Sequence, residues 1–130
     1  MRLLIVAEPG RLRDGLQTLL DSFRALQPAV VLDDGRSALL AIQNGWPNLV
    51  ILDYHVFGET TPEFVRAIKQ ARGRAYCVVV AHRLAQFQPI LDSGADQVLL
   101  EGFSAAELSR AVEQALAHIQ DSEASTEVTE

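Results

Sequence analysis

The sequence predicts a doubly wound α/β domain: a three-layer sandwich with a parallel sheet of five strands between helices on both faces. Three observations carry this. Five short apolar runs punctuate the chain, segments of helical spacing separate them, and capping residues or glycines stand at the joints. Runs that are apolar along their whole length suit strands covered on both faces, and crossover helices are what join parallel strands. The right-handed crossover rule then leaves few ways to wind the sheet.

The first run, Leu3 to Ala7, ends in Glu8-Pro9-Gly10 and is followed by Leu12, Leu16, Leu19, Leu20 and Phe23 at helical spacing. The second, Val30 to Leu32, precedes Leu39, Leu40 and Ile42, and Gly45 ends that helix. The third, Leu49 to Leu52, runs unbroken into Asp53, and a loop of seven residues, Tyr54 to Thr60, is expected before the next helix. Thr61-Pro62-Glu63 offers that helix a cap, a first-turn proline and an acid suited to the helix dipole. Phe64, Val65 and Ile68 form its apolar stripe, and Gly73 stops it. The fourth run, Val78 to Ala81, is followed by Phe87, Ile90 and Leu91, with Gly94 as the stop. After the fifth, Val98 to Leu100, Ser104-Ala105-Ala106-Glu107 is a capping box leading into Leu108, Val112, Ala115, Leu116 and Ile119. Residues 1–119 thus read as one domain. The acidic segment 120–130, with one large apolar residue and no periodicity, reads as a disordered tail.

Composition narrows the function classes. The chain has 130 residues, 48% hydrophobic and 22% charged, which suits one domain with a sizeable core. Its formal net charge is −6, but the last ten residues hold four acids, so the preceding 120 carry 13 acids against 11 bases. No basic stripe is present to displace counterions from a polyanion, so direct nucleic-acid binding is not expected. Cys77 is the single cysteine and sits in an apolar run, where it reads as core filler. The first apolar run is too short for a signal or membrane segment, so a cytoplasmic protein with no membrane partner is expected.

In open parallel sheets ligands bind at the carboxyl ends of the strands, where the winding reverses. Glu8, Asp53, His82 and Glu101 stand at or just beyond such ends. In a flavodoxin-like order Glu8 and Asp53 would be neighbours, with Glu101 nearby. An acid after a strand is commonly a solvated loop residue or a helix cap, and for Asp53 both that reading and a functional one stay open. The loop after the first strand lacks the Gly-x-Gly-x-x-Gly and Gly-Lys-Ser/Thr patterns, which speaks against a small flavodoxin-like enzyme or a nucleotide-binding domain. His55, His82 and His118 do not cluster in sequence, so a zinc site is not expected.

Two stretches carry a resemblance. Pro47-Asn48-Leu49-Val50-Ile51-Leu52-Asp53-Tyr54-His55-Val56-Phe57-Gly58 is similar to the acceptor segment of response-regulator receiver domains. Leu91-Asp92-Ser93-Gly94-Ala95-Asp96-Gln97-Val98-Leu99-Leu100-Glu101-Gly102-Phe103 is similar to the family's Gly-Ala-Asp, strand, Lys-Pro-Phe segment, with Glu and Gly in place of Lys and Pro. With the first strand and the five-fold alternation, the resemblance covers residues 2 to about 119.

The resemblance implies a phosphorelay module, not an enzyme in its own right beyond self-catalysed phosphotransfer. Asp53 would accept a phosphoryl group from a histidine kinase or phosphotransfer protein, and output would pass to a downstream protein. It also implies Mg²⁺, held by Glu8, Asp53 and the backbone carbonyl of His55. The site departs from the family pattern. Ala7 takes the place of the companion acid on the first strand, Ala81 that of the hydroxyl on the fourth, and Glu101 that of the lysine. A like charge about 5 Å away costs on the order of 3 kcal/mol at an effective dielectric near 20, roughly two decades in an equilibrium. Arg11, His82 and Arg83 are the candidate substitute cations. Val98 stands where the family's switching aromatic belongs. The face made by the fourth helix, fifth strand and fifth helix (Phe87, Gln88, Val98, Leu100, Ala106, Arg110) is where such domains form homodimers or meet partners, although Phe87 and Leu100 also read as core. A phosphorylation-independent pseudo-receiver, the same fold used as a binding module, is the alternative.

Overall fold

The structure, a computed structural model, describes residues 1–45 and 47–128. Five parallel strands, β1 (Leu3–Val6), β2 (Ala29–Leu32), β3 (Leu49–Asp53), β4 (Tyr76–Ala81) and β5 (Gln97–Leu100), form one sheet in the order β2-β1-β3-β4-β5. The winding reverses between β1 and β3, where Leu3 to Val6 pair in register with Leu49 to Leu52. The helices α1 (Arg11–Leu20), α2 (Gly35–Gln43), α3 (Thr61–Ala71), α4 (Phe87–Asp92) and α5 (Ala105–Val128) cover the two faces.

Strand side chains alternate between faces, so each apolar run feeds two cores. Leu3, Ile5, Leu49, Ile51, Val78 and Val80 pack with Leu16 and Leu20 of α1 and Leu108, Val112 and Ala115 of α5. Leu4, Val6, Val50, Leu52, Cys77 and Val79 pack with Ala38 and Ile42 of α2, Val65 and Ile68 of α3 and Ile90 of α4. Every residue of β1, β3 and β4 is buried. At about 1.5–3 kcal/mol per fully buried large aliphatic side chain, these three strands dominate the apolar stabilisation.

The outer strands differ from the expectation of five buried runs. Ala29 and Val30 of β2 and Leu100 of β5 are exposed. Both strands lie at sheet edges with a neighbour on one side only.

Local chemistry shifts other boundaries. The segment after Asp53 is not an open loop: Tyr54–Phe57 forms one helical turn and Gly58–Thr60 a 3₁₀ turn. Asp53 starts it, because its Oδ1 accepts the His55 N–H at 3.2 Å. Thr61 is the first residue of α3 rather than its cap, and its hydroxyl donates back to the Gly58 carbonyl at 2.6 Å. The Ser104–Glu107 capping box is present, with the Glu107 N–H donating to Ser104 Oγ at 3.1 Å. Gly45 and Gly94 follow α2 and α4 with φ of +74° and +113°, a region that favours glycine.

Where a disordered tail is expected from residue 120, α5 continues to Val128; Thr129 and Glu130 lie outside the described residues. Once a helix is nucleated, each added residue trades its backbone freedom for one hydrogen bond nearly evenly, so a polar segment without apolar periodicity can continue it.

Asp96 ties the sheet together behind the site. Its Oδ2 accepts the Cys77 N–H at 2.8 Å and Lys69 Nζ at 2.7 Å, while its own N–H donates to the Cys77 carbonyl at 2.9 Å. The start of β4 and the approach to β5 are thereby locked in register.

Candidate functional site

Asp53 ends β3 beside the reversal in winding and is only 4% exposed. A carboxylate so placed needs partners for its charge. One is the His55 N–H of the helical turn. The other comes from β4. Because Asp53 pairs with Val80 in register, the chain beyond Ala81 passes over the end of β3 and places His82 Nε2 2.9 Å from Asp53 Oδ1. Gln86 fixes that loop: its side-chain oxygen accepts the His82 N–H at 2.8 Å and the Arg83 N–H at 3.1 Å.

The other nitrogen of the same ring, Nδ1, hydrogen-bonds with Glu101 Oε2. Glu101 is steered there by its backbone, whose N–H donates to the Ala81 carbonyl at 2.7 Å where β5 ends beside β4. One imidazole therefore bridges two carboxylates, buried Asp53 and half-exposed Glu101. Burial pulls the His82 pKa down, but the hydrogen bonds that Glu101 and Asp53 accept, with the charges of both, outweigh it and hold the imidazole above its ordinary value. The bridge favours the imidazolium form of His82.

The side chain of His55 completes the cluster. Its ring lies on that of His82, with centroids 3.5 Å apart and planes tilted by 34°, and Tyr54 meets His82 edge-on at 6.3 Å. One ligand atom each from His55, His82 and Glu101 lie within 4.8 Å of one another.

Of the residues singled out from sequence, Asp53, His82 and Glu101 form one hydrogen-bonded chain. His55 joins them through its ring as well as its backbone. The histidines do not cluster in sequence, yet two of the three meet in the fold, because a parallel sheet brings together strand ends that are distant in sequence. His118 instead packs on Tyr76, with ring centroids 5.2 Å apart. Ala81 is fully buried and brings no hydroxyl, and Glu8 is exposed beyond β1. Arg11 is exposed and lines a groove with Glu101, Gly102 and Phe103; Arg83 is exposed next to His82. Among the described residues neither arginine forms an ion pair. Sequence reading overlooked Gln86, whose signal is its place four residues after His82, in reach of the loop backbone.

Mg²⁺ demands near-octahedral oxygen coordination and is ordinarily held by carboxylates and water. Here the position beside Glu8 is the buried methyl of Ala7, Asp53 Oδ1 is engaged by His82, and two imidazoles crowd the cleft. The cleft thus offers Mg²⁺ fewer carboxylate oxygens than it ordinarily takes, with Asp53 Oδ2, Glu8 and the His55 carbonyl as the oxygens that would hold it.

No family model matches the sequence, and no curated protein does. Solved structures match it closely in fold. The receiver domain of a sensor histidine kinase from Pseudomonas aeruginosa, described with magnesium coordinated in its active-site cleft, superposes with a TM-score of 0.76 at 17% identity, covering 89% of this chain and 97% of that one. A CheY-like response regulator receiver domain protein from Methanospirillum hungatei gives 0.79 at 19%, covering 93% and 97%. A chemotaxis response regulator of Vibrio cholerae gives 0.74 at 20%, covering 88% and 97%. The chain has the CheY-like fold of response-regulator receiver domains, the family its two motif segments resemble. Among the described residues no helix is long and apolar enough to cross a membrane.

Proposed function

We propose that the chain is a receiver-fold module of two-component signalling that works through protein–protein contacts while its acceptor aspartate is clamped by an internal cation. The observation that carries this is the Asp53–His82–Glu101 chain. In a working acceptor the carboxylate oxygen must be open to attack phosphorus, and cations must gather on the incoming oxygens. Here His82 and the His55 N–H both hold Asp53 Oδ1, which draws electron density from the carboxylate and leaves attack to Oδ2, and Glu101 presents an opposing charge on the far side of the ring. The partner classes the fold implies are a histidine kinase or phosphotransfer protein on the input side and a downstream protein on the output side, in the cytoplasm. For output, Leu84, Leu91 and Leu100 expose apolar surface on the segments that build the α4–β5–α5 face, at 72%, 41% and 38%. Leu100 thus stands out from the core, whereas Phe87 and Val98 pack partly against it.

A second reading has an observation of its own. His82 supplies a cation beside Asp53, so the chain would be a slow phosphoacceptor in which His82 stands in for the family's lysine. One experiment separates the two. The protein is incubated with a small phosphodonor and Mg²⁺, and intact mass is measured for the wild type and for Asp53→Asn. The clamped reading predicts no gain in either; a gain of one phosphoryl group in the wild type that vanishes in Asp53→Asn supports the acceptor.

A further inference from the structure

The geometry points to a binding site for a borderline divalent cation of the Zn²⁺ class, built from the His55 ring, His82 Nδ1 and the Glu101 carboxylate. It goes beyond the signalling role above, since a metal there neither requires nor delivers a phosphoryl group. Two imidazoles and one carboxylate are the donors that Zn²⁺ and its neighbours prefer, and three protein ligands leave a fourth position for water. The three ligand atoms already lie within 4.8 Å of one another. Bonds of about 2.0–2.2 Å in a tetrahedral site set ligand atoms about 3.3 Å apart, so the His55 ring closes by at most roughly 1.5 Å while Glu101 draws back from His82 Nδ1 to admit the ion. The movement falls to His55, which is exposed, and to Glu101, whose side chain is 50% exposed. His82, 10% exposed and held by Gln86 through its backbone, stays in place.

The partner of His82 Nε2 strengthens the assignment. Histidines that ligate metals commonly donate their second N–H to a carboxylate, which fixes the tautomer and raises the ligand's basicity. With Nδ1 turned to Glu101 and the metal, Nε2–H donates to Asp53 Oδ1 at the 2.9 Å already present. Asp53, the acceptor position of the fold, becomes the carboxylate that supports a metal-binding histidine. The metal takes the place of the proton shared between Nδ1 and Glu101, and Glu101, an obstacle to phosphoryl chemistry, is a ligand.

The test is titration of the metal-stripped full chain with Zn²⁺, read by calorimetry and by competition with a chromophoric chelator. Co²⁺ is used in parallel to report geometry through its visible spectrum. The expected result is saturation at one metal per chain, retained in excess Mg²⁺ and weakened at least tenfold by His55→Ala and by Glu101→Gln. Asp53→Asn should weaken it ten- to a hundredfold, as loss of an outer-shell carboxylate does. His55→Ala is the deciding variant, because its ring is exposed and lies outside the Asp53–His82–Glu101 chain; circular dichroism verifies its fold. His118→Ala should bind as the wild type does. Absence of saturable binding, displacement by Mg²⁺, affinity unmoved by His55→Ala, or equal loss in His118→Ala would each overturn the site. Metal binding and phosphoryl gain are read by separate signals, so either proposal can fail alone.

Discussion

Glu101→Lys is the perturbation with the largest expected effect on phosphoryl chemistry. Glu101 stands across the His82 ring from Asp53, roughly 7 Å between carboxylate oxygens, where a unit charge interacts by about 2.4 kcal/mol at an effective dielectric near 20. Reversing its sign swings that interaction twice. Because the Glu101 side chain is 50% exposed, solvent screens much of the swing, and about 1.5–3 kcal/mol is the appropriate range. That corresponds to roughly ten- to a hundredfold in the rate or extent of phosphorylation. The substitution also removes the Nδ1 partner of His82 and so loosens its hold on Asp53, an effect of the same direction. The assay is intact-mass kinetics with a small phosphodonor, in which Glu101→Lys gains one phosphoryl group, at least tenfold above the detection limit below which the wild type stays, and Glu101→Lys with Asp53→Asn gains none. Equal rates in wild type and Glu101→Lys would refute the electrostatic reasoning.

The raised pKa of His82 contributes stability that is fully present below about pH 6.5, its unfolded value, and is lost as pH rises through the folded value. With Asp53, Glu101, His55 and Tyr54 facing the ring, urea unfolding of His82→Gln between pH 5.5 and 9 should show a flatter pH dependence than the wild type; parallel curves contradict this. Burial pushes the Cys77 thiol up to about 12, so it should resist thiol reagents in the native protein and react at the unfolding rate, as followed by mass spectrometry in increasing urea. Asp96→Ala strips the Cys77 N–H and Lys69 of their shared acceptor and should cost about 1.5–3 kcal/mol by chemical denaturation, the range for hydrogen bonds to a charged group.

The sheet and its winding were legible because β1, β3 and β4 are apolar on both faces, a pattern that survives without knowledge of neighbours. Boundaries were legible only where side chains cap the backbone locally, as at Ser104 and Glu107. The turn after Asp53 was hidden, since the acid that reads as a loop entrance accepts the turn's first hydrogen bond, from the His55 N–H. The site was half legible. Asp53, His82 and Glu101 each drew attention as residues at strand ends, but their union in one chain depends on the register of β3, β4 and β5. The ring of His55 was missed for the same reason. It sits 27 positions from His82, and only the parallel sheet sets one above the other.

The central claim is that His82 clamps Asp53 as an imidazolium shared with Glu101, and NMR titration of the His82 imidazole in chelator-treated protein tests it most directly. The expected midpoint lies above 6.5, the ordinary value, and falls in both Asp53→Asn and Glu101→Gln. A midpoint at or below 6.5 that ignores both substitutions would contradict the clamp.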